Sequence, residues 1–189
     1  MDRLPWVWGA TAAEVERGYP ADTALGMPVR LLTRVVDVAA PPRHVYRWTC
    51  QVALAPYSYD WIDNYGRRSP RELVPGTDRL ELGQVMTRTF RVTAVEAGHS
   101  WTGVMLPEIA RFFGPTALTY AAEPVPGPAG GATRLVCRLA VADRQAVDRV
   151  RGYALAWGDL VMMRRQLLNL KERAESSAKG GRRSLQDEV

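Results

Sequence analysis

VRLLTRVVDVAAPPRHVYRW, residues 29 to 48, changes its period halfway along. Val29 to Ala39 is rich in β-branched residues and reads as a strand. Pro41 and Pro42 break it, and proline suits the first turn of a helix. From His44 to Leu54, Val45, Trp48, Thr49 and Val52 recur at i, i+3, i+4 and i+7, the stripe of a core-facing helix. Pro56 ends it. A strand passing directly into a helix in this way opens an α+β domain.

Upstream, Thr11 to Glu14 matches the capping box of a short helix, with Gly18 and Pro20 as its stop. Trp6 and Trp8 precede it and are suited to dock this segment onto the body. Downstream, Gln84 to Val95, Ser100 to Leu106, Thr116 to Glu123 and Thr133 to Ala142 read as strands of a meander. A turn at Ala97-Gly98 joins the first two, and a loop of turn residues begins at Pro124. In the last strand Arg134 and Arg138 alternate outward against Leu135, Cys137, Leu139 and Val141. From Asp143 the period becomes helical. Val147, Val150, Ala154, Trp157, Val161, Leu168 and Lys171 define a helix to about Ala174, loosened at Gly158. Residues 176–189 lose the apolar period and read as a disordered tail.

The expected fold is therefore α+β: a curved antiparallel β-sheet gripping a long C-terminal α-helix, with a short N-terminal helical extension at 1–28 and the main domain at 29–175. A cavity left between helix and sheet is the default ligand site.

Bulk properties narrow the function. The chain has 189 residues, 47% of them hydrophobic, and two cysteines, Cys50 and Cys137, in no metal-binding spacing. With two histidines, His44 and His99, a histidine metal site or a Ser-His-Asp triad is not expected. No apolar run has membrane-spanning length and the N-terminus lacks signal-peptide character, so a cytoplasmic protein is expected. The net charge is +5. Its basic residues are nearly all arginines, with Lys171 and Lys179 as the two lysines, and they are scattered along the chain. Nucleic acid is therefore not the expected partner.

The densest chemistry lies in APYSYDWIDNYGRRSP, residues 55 to 70. One reading is a corner: Ser58 or Asp60 caps a turn from Trp61 to Tyr65, Gly66 stops it, and Arg67 and Arg68 bond local carboxylates. The other is a site. Asp60 and Asp63 share one face of the turn, and a carboxylate in a dry aromatic pocket can act as a general acid or base. Tyr57, Tyr59, Trp61 and Asn64 would then line the ligand. Arg88, on the following strand, can hold an anionic group or pair with an aspartate. On the last helix Trp157, Asp159, Met162 and Arg164 are further candidates, Arg164 as a partner of Asp60 or Asp63. Trp101 faces either the cavity or the helix.

The unit VVDVAAPPRHVYRW, the meander and the segment AWGDLVMMRRQLLNLKERAE, residues 156 to 175, resemble the START-like (helix-grip, SRPBCC) superfamily, in particular bacterial polyketide cyclase/dehydrase-like members. The resemblance covers residues 29–175. It implies a protein that encloses a hydrophobic or amphipathic small molecule between sheet and terminal helix, without metal or cofactor. Two alternatives stay open: a metal-independent cyclase or dehydratase, and a structural or partner-binding module without ligand. The N-terminal extension is left to cap the pocket or to make a homodimer contact.

Overall fold

The computed structural model describes residues 3–126 and 131–186; at Asp63 and at 181–186 it describes the backbone alone. In chain order the elements are β1 (Val7–Trp8), α1 (Ala12–Glu16), β2 (Val29–Val38), α2 (Pro42–Cys50), α3 (Asp60–Asp63), β3 (Val85–Met86) and β4 (Phe90–Glu96). There follow β5 (Ser100–Met105), α4 (Pro107–Phe113), β6 (Thr116–Pro124), β7 (Thr133–Ala142) and α5 (Ala146–Gln186). One seven-stranded sheet has the order β1-β2-β7-β6-β5-β4-β3. Every pairing is antiparallel except β1 with β2.

Strand alternation gives the sheet two faces. Leu32, Val36 and Val38 of β2 point inward with Leu135, Leu139 and Val141 of β7, and α2 and α5 close over them. Register places Trp8, Arg34, Cys137, Tyr120 and Trp101 opposite one another on five strands. This inner row ends in a Trp101–Tyr120 stack with ring centroids 4.9 Å apart. Trp101 is fully buried and donates through Nε1 to Thr49 Oγ1 at 3.3 Å, so it belongs to the core beneath α2.

One residue along, Val7, Thr33, Arg138, Thr119 and Thr102 form the matching outer row. Arg138 points outward as its alternation predicts, yet it is 1% exposed. The N-terminal segment lies over it. Its guanidinium donates to the carbonyls of Glu14, Val15 and Arg17 and to Thr33 Oγ1, with Asp22 at 3.5 Å. A sheet arginine thus supplies donors to the open C-terminal carbonyls of α1. The capping box of α1 forms as the sequence predicts. Gly9 is needed where the segment crosses β2: its φ is +71°, and a Cβ would stand 2.1 Å from the Val35 carbonyl oxygen.

Three sequence expectations shift. The run Gln84 to Val95 divides into β3 and β4 about a tight turn in which Thr87 and Arg88 have positive φ. The segment after β5 forms α4, framed by Pro107 at its start and Gly114, φ +88°, at its end. Helix α5 is rotated from its expected phase. Ala156, Leu160, Met163, Leu167, Leu170 and Ala174 face the core, while Val147, Val150, Trp157, Val161 and Leu168 are exposed. Both stripes have helical period, and which one packs is decided by the inner face of the sheet. The helix also continues past Ala174 to Gln186, and Ser177 Oγ accepts from Trp48 Nε1 at 3.0 Å. Residues 187–189 of the expected tail, and 127–130 of the expected loop, lie outside the described residues.

Candidate functional site

Between α4, the first half of α5 and the inner faces of β4 to β7 lies a cavity of about 670 Å³. Such a volume lies within the ~300–1,000 Å³ of small-molecule sites. Phe90, Met105, Leu118, Leu139, Leu155 and Met163 make its walls. Phe112 and Phe113 of α4 also line it and are 76% and 51% exposed, which puts them at its mouth. Gly158 lines it from α5, and nothing lies within 4 Å of the place a Cβ would take.

Its wall also carries Asp159, whose side chain is 8% exposed. Arg34 reaches it from the sheet, Nη2 to Oδ2 3.1 Å, and is itself wholly buried. The same guanidinium donates to the carbonyls of Trp6 at 2.8 Å and Ala156 at 3.3 Å. Desolvation raises the Asp159 pKa to about 6 against the opposing pull of Arg34. The carboxyl therefore titrates near neutrality. Beside it, burial raises the Cys137 thiol well above its ordinary value, so it stays protonated. Tyr120 Oη bonds to Gln166 Oε1, and Gln166 Nε2 donates to the Pro56 carbonyl. Asn169 Nδ2 donates to the Tyr57 carbonyl at 2.8 Å. Two amides of α5 thereby hold the start of the 55–70 stretch.

That stretch is anchored as a corner. Tyr57 is buried at φ +56°, its ring edge-on to Trp48 and its hydroxyl accepting from Gln51 Nε2 at 3.0 Å. Gln51 also bonds the backbone of Glu72 and Val74. Tyr59 is the residue before α3 and makes no side-chain cap. Asp60 instead folds back onto Ser69, accepting from its amide at 2.9 Å and from its hydroxyl at 2.5 Å. Asp63 lies in α3, with its side chain outside the described residues. Tyr59, Asp60 and Trp61 line a separate polar groove with α5. Asn64 bonds the Arg67 carbonyl and shares a third hollow with Arg88, which is exposed in the β3–β4 turn.

Of the residues singled out on α5, Asp159 and Met162 line the apolar cavity. Trp157 sits on the exposed stripe, edge-on to Tyr153. Arg164 lies 5.4 Å above the Trp8 ring instead of beside Asp60. A guanidinium can satisfy itself on an indole face without a carboxylate. Sequence reasoning passed over Arg34 and all of α4. An arginine on the inward register of β2, between Leu32 and Val36, was the signal for the first; the Pro107–Gly114 frame was the signal for the second. Among the described residues, no group of three metal-ligating acids, histidines or cysteines occurs, and no helix is long and apolar enough to cross a membrane.

The mostly antiparallel sheet and the long terminal helix laid across its inner face are the helix-grip, or START-like, fold. No protein-family model matches the chain, and no curated protein sequence does. Among solved structures it is similar to a protein from Mesorhizobium loti, at 18% identity over 76% of this chain and 97% of that one, TM-score 0.46. It is also similar to the Zhui aromatase/cyclase from Streptomyces sp. R1128, at 16% identity over 80% and 94% of the two chains, TM-score 0.41. A major latex protein family member from Arabidopsis thaliana matches at 16% identity over 75% and 94%, TM-score 0.40.

Proposed function

We propose that this protein binds a hydrophobic or amphipathic small molecule in the cavity beneath α5. The observation that carries the reading is the 670 Å³ apolar space bounded by sheet, α4 and α5. Burying an apolar ligand there removes its surface from water, worth about 25 cal/mol per Å² before the costs of association. The partly exposed phenylalanines of α4 offer an apolar entry. Asp159 gives the mainly apolar wall a carboxylate acceptor for a hydroxyl or amine on the ligand.

A substitution at Gly158 tests this with two readouts of opposite sign. A Cβ at 158 would meet nothing within 4 Å, and Gly158 lines the cavity, so a leucine there is expected to take up part of its volume. It would also replace the poorest ordinary helix former, a gain of about 0.5–1 kcal/mol. The expected result for Gly158→Leu is a higher urea midpoint together with at least about tenfold weaker binding of an apolar fluorescent dye. Unchanged dye affinity in a stabilised variant would show that the dye does not use this space.

The cyclase or dehydratase alternative has one observation in its favour, the carboxyl at the cavity wall with a pKa near 6. A group poised there can give or take a proton at neutral pH. This reading places the proton transfer on Asp159, because Asp60 is engaged with Ser69 outside the cavity. An Asp159→Asn variant that binds product-like aromatics but turns nothing over is its expected signature.

A further inference from the structure

The polar groove beside the 55–70 corner gathers charge that the chain order disperses. Arg68 and Arg71 come from the segment after α3, and Arg165 and Arg173 from α5, nearly a hundred residues later. Among the described residues none of these four guanidinium groups forms an ion pair or a side-chain hydrogen bond. Two carboxylates share the groove, Asp60 and Glu172. Asp60 is already held by Ser69. Among the described residues, four positive groups against two negative ones leave a local excess of two. Trp61 stands at the same groove and is 76% exposed. The groove measures about 540 Å³, the size of a small-molecule site.

Guanidinium forks match phosphate oxygens two bonds at a time. An exposed indole offers a stacking face to a planar ring. The two carboxylates lower the net positive charge of the groove, which disfavours a long polyanion, and offer acceptors for hydroxyl or amino groups of a compact ligand. We propose that this groove binds a small phosphate-bearing molecule with a planar ring, the chemistry of a nucleotide, its phosphates on the arginines and its ring on Trp61. This site is separate from the apolar cavity and does not depend on a ligand there.

The test is calorimetric titration of the full chain with two probes, magnesium-free ATP and inorganic pyrophosphate. The proposal expects saturable one-to-one binding of ATP. Arg165→Gln, an exposed position, should weaken both probes about tenfold, the loss of one charge-assisted phosphate contact. Trp61→Ala should weaken ATP at least about fivefold and leave pyrophosphate unchanged. Arg43→Gln, exposed outside the groove, should alter neither. Absence of saturable ATP binding overturns the proposal. So does an equal loss in Arg43→Gln, which would mark diffuse attraction to a basic surface, or ATP binding that Trp61→Ala leaves intact.

Discussion

Arg138→Met releases the N-terminal segment from the outer face of the sheet. Methionine keeps much of the side chain's bulk but removes every donor. The carbonyls of Glu14, Val15 and Arg17 lose their partner, Asp22 loses its cation, and the Tyr19 ring loses the guanidinium 5.1 Å from its centre. Breaking a buried charged network from one side costs about 3–5 kcal/mol. Hydrogen exchange locates the effect. The Ala21 amide, which donates to Thr119 Oγ1 at 3.0 Å, should lose most of its protection, while amides in the β6–β7 ladder keep theirs. Unchanged protection at Ala21 would show that apolar contacts alone hold the segment.

Arg34→Met is the counterpart on the inner face, and its cost depends on pH. It removes donors from the carbonyls of Trp6 and Ala156 and leaves the Asp159 carboxyl without its counterion. At pH 7.5 the expected loss is again about 3–5 kcal/mol. At pH 4.5 it is smaller, because Asp159 is then neutral. The sign follows from the folded pKa of about 6, above the carboxyl's ordinary 3.8. The stabilising contribution of the neutral carboxyl is complete below pH 3.8 and is lost as pH rises through 6. Wild type should therefore lose roughly 2–3 kcal/mol relative to Asp159→Asn between pH 4 and pH 7.5. Urea denaturation at several pH values measures that difference. Parallel profiles for the two proteins would mean that Asp159 titrates as an ordinary carboxylate.

Local rules made the architecture readable. The strand-to-helix change at Pro41 and Pro42, the capping box at Thr11 and the alternation of β7 each depend on neighbours in the chain. The phase of α5 does not. Its N-terminal half carries two apolar stripes, and only the sheet it meets chooses between them. Sites proved harder to read for the same reason. Asp60 looked available because Ser69, nine residues on, was not recognised as its partner. Asp159 stood among the candidates on α5, but its partner Arg34, 125 positions away, did not. Charge scattered along the sequence appeared unfocused, yet folding brings Arg68 and Arg71 beside Arg165 and Arg173.

Gly158 carries a consequence for how such a protein can change over time. Most residues that shape an enclosed space also hold the fold together, so altering the space endangers the molecule. Here a bare position on the long helix lines open volume, and alanine or valine at that position favours the helix over glycine. Glycine, alanine and valine would give successively shallower chambers from single nucleotide steps. Under the proposed binding function, the chain can thus drift toward smaller guests without first accumulating mutations that steady its fold.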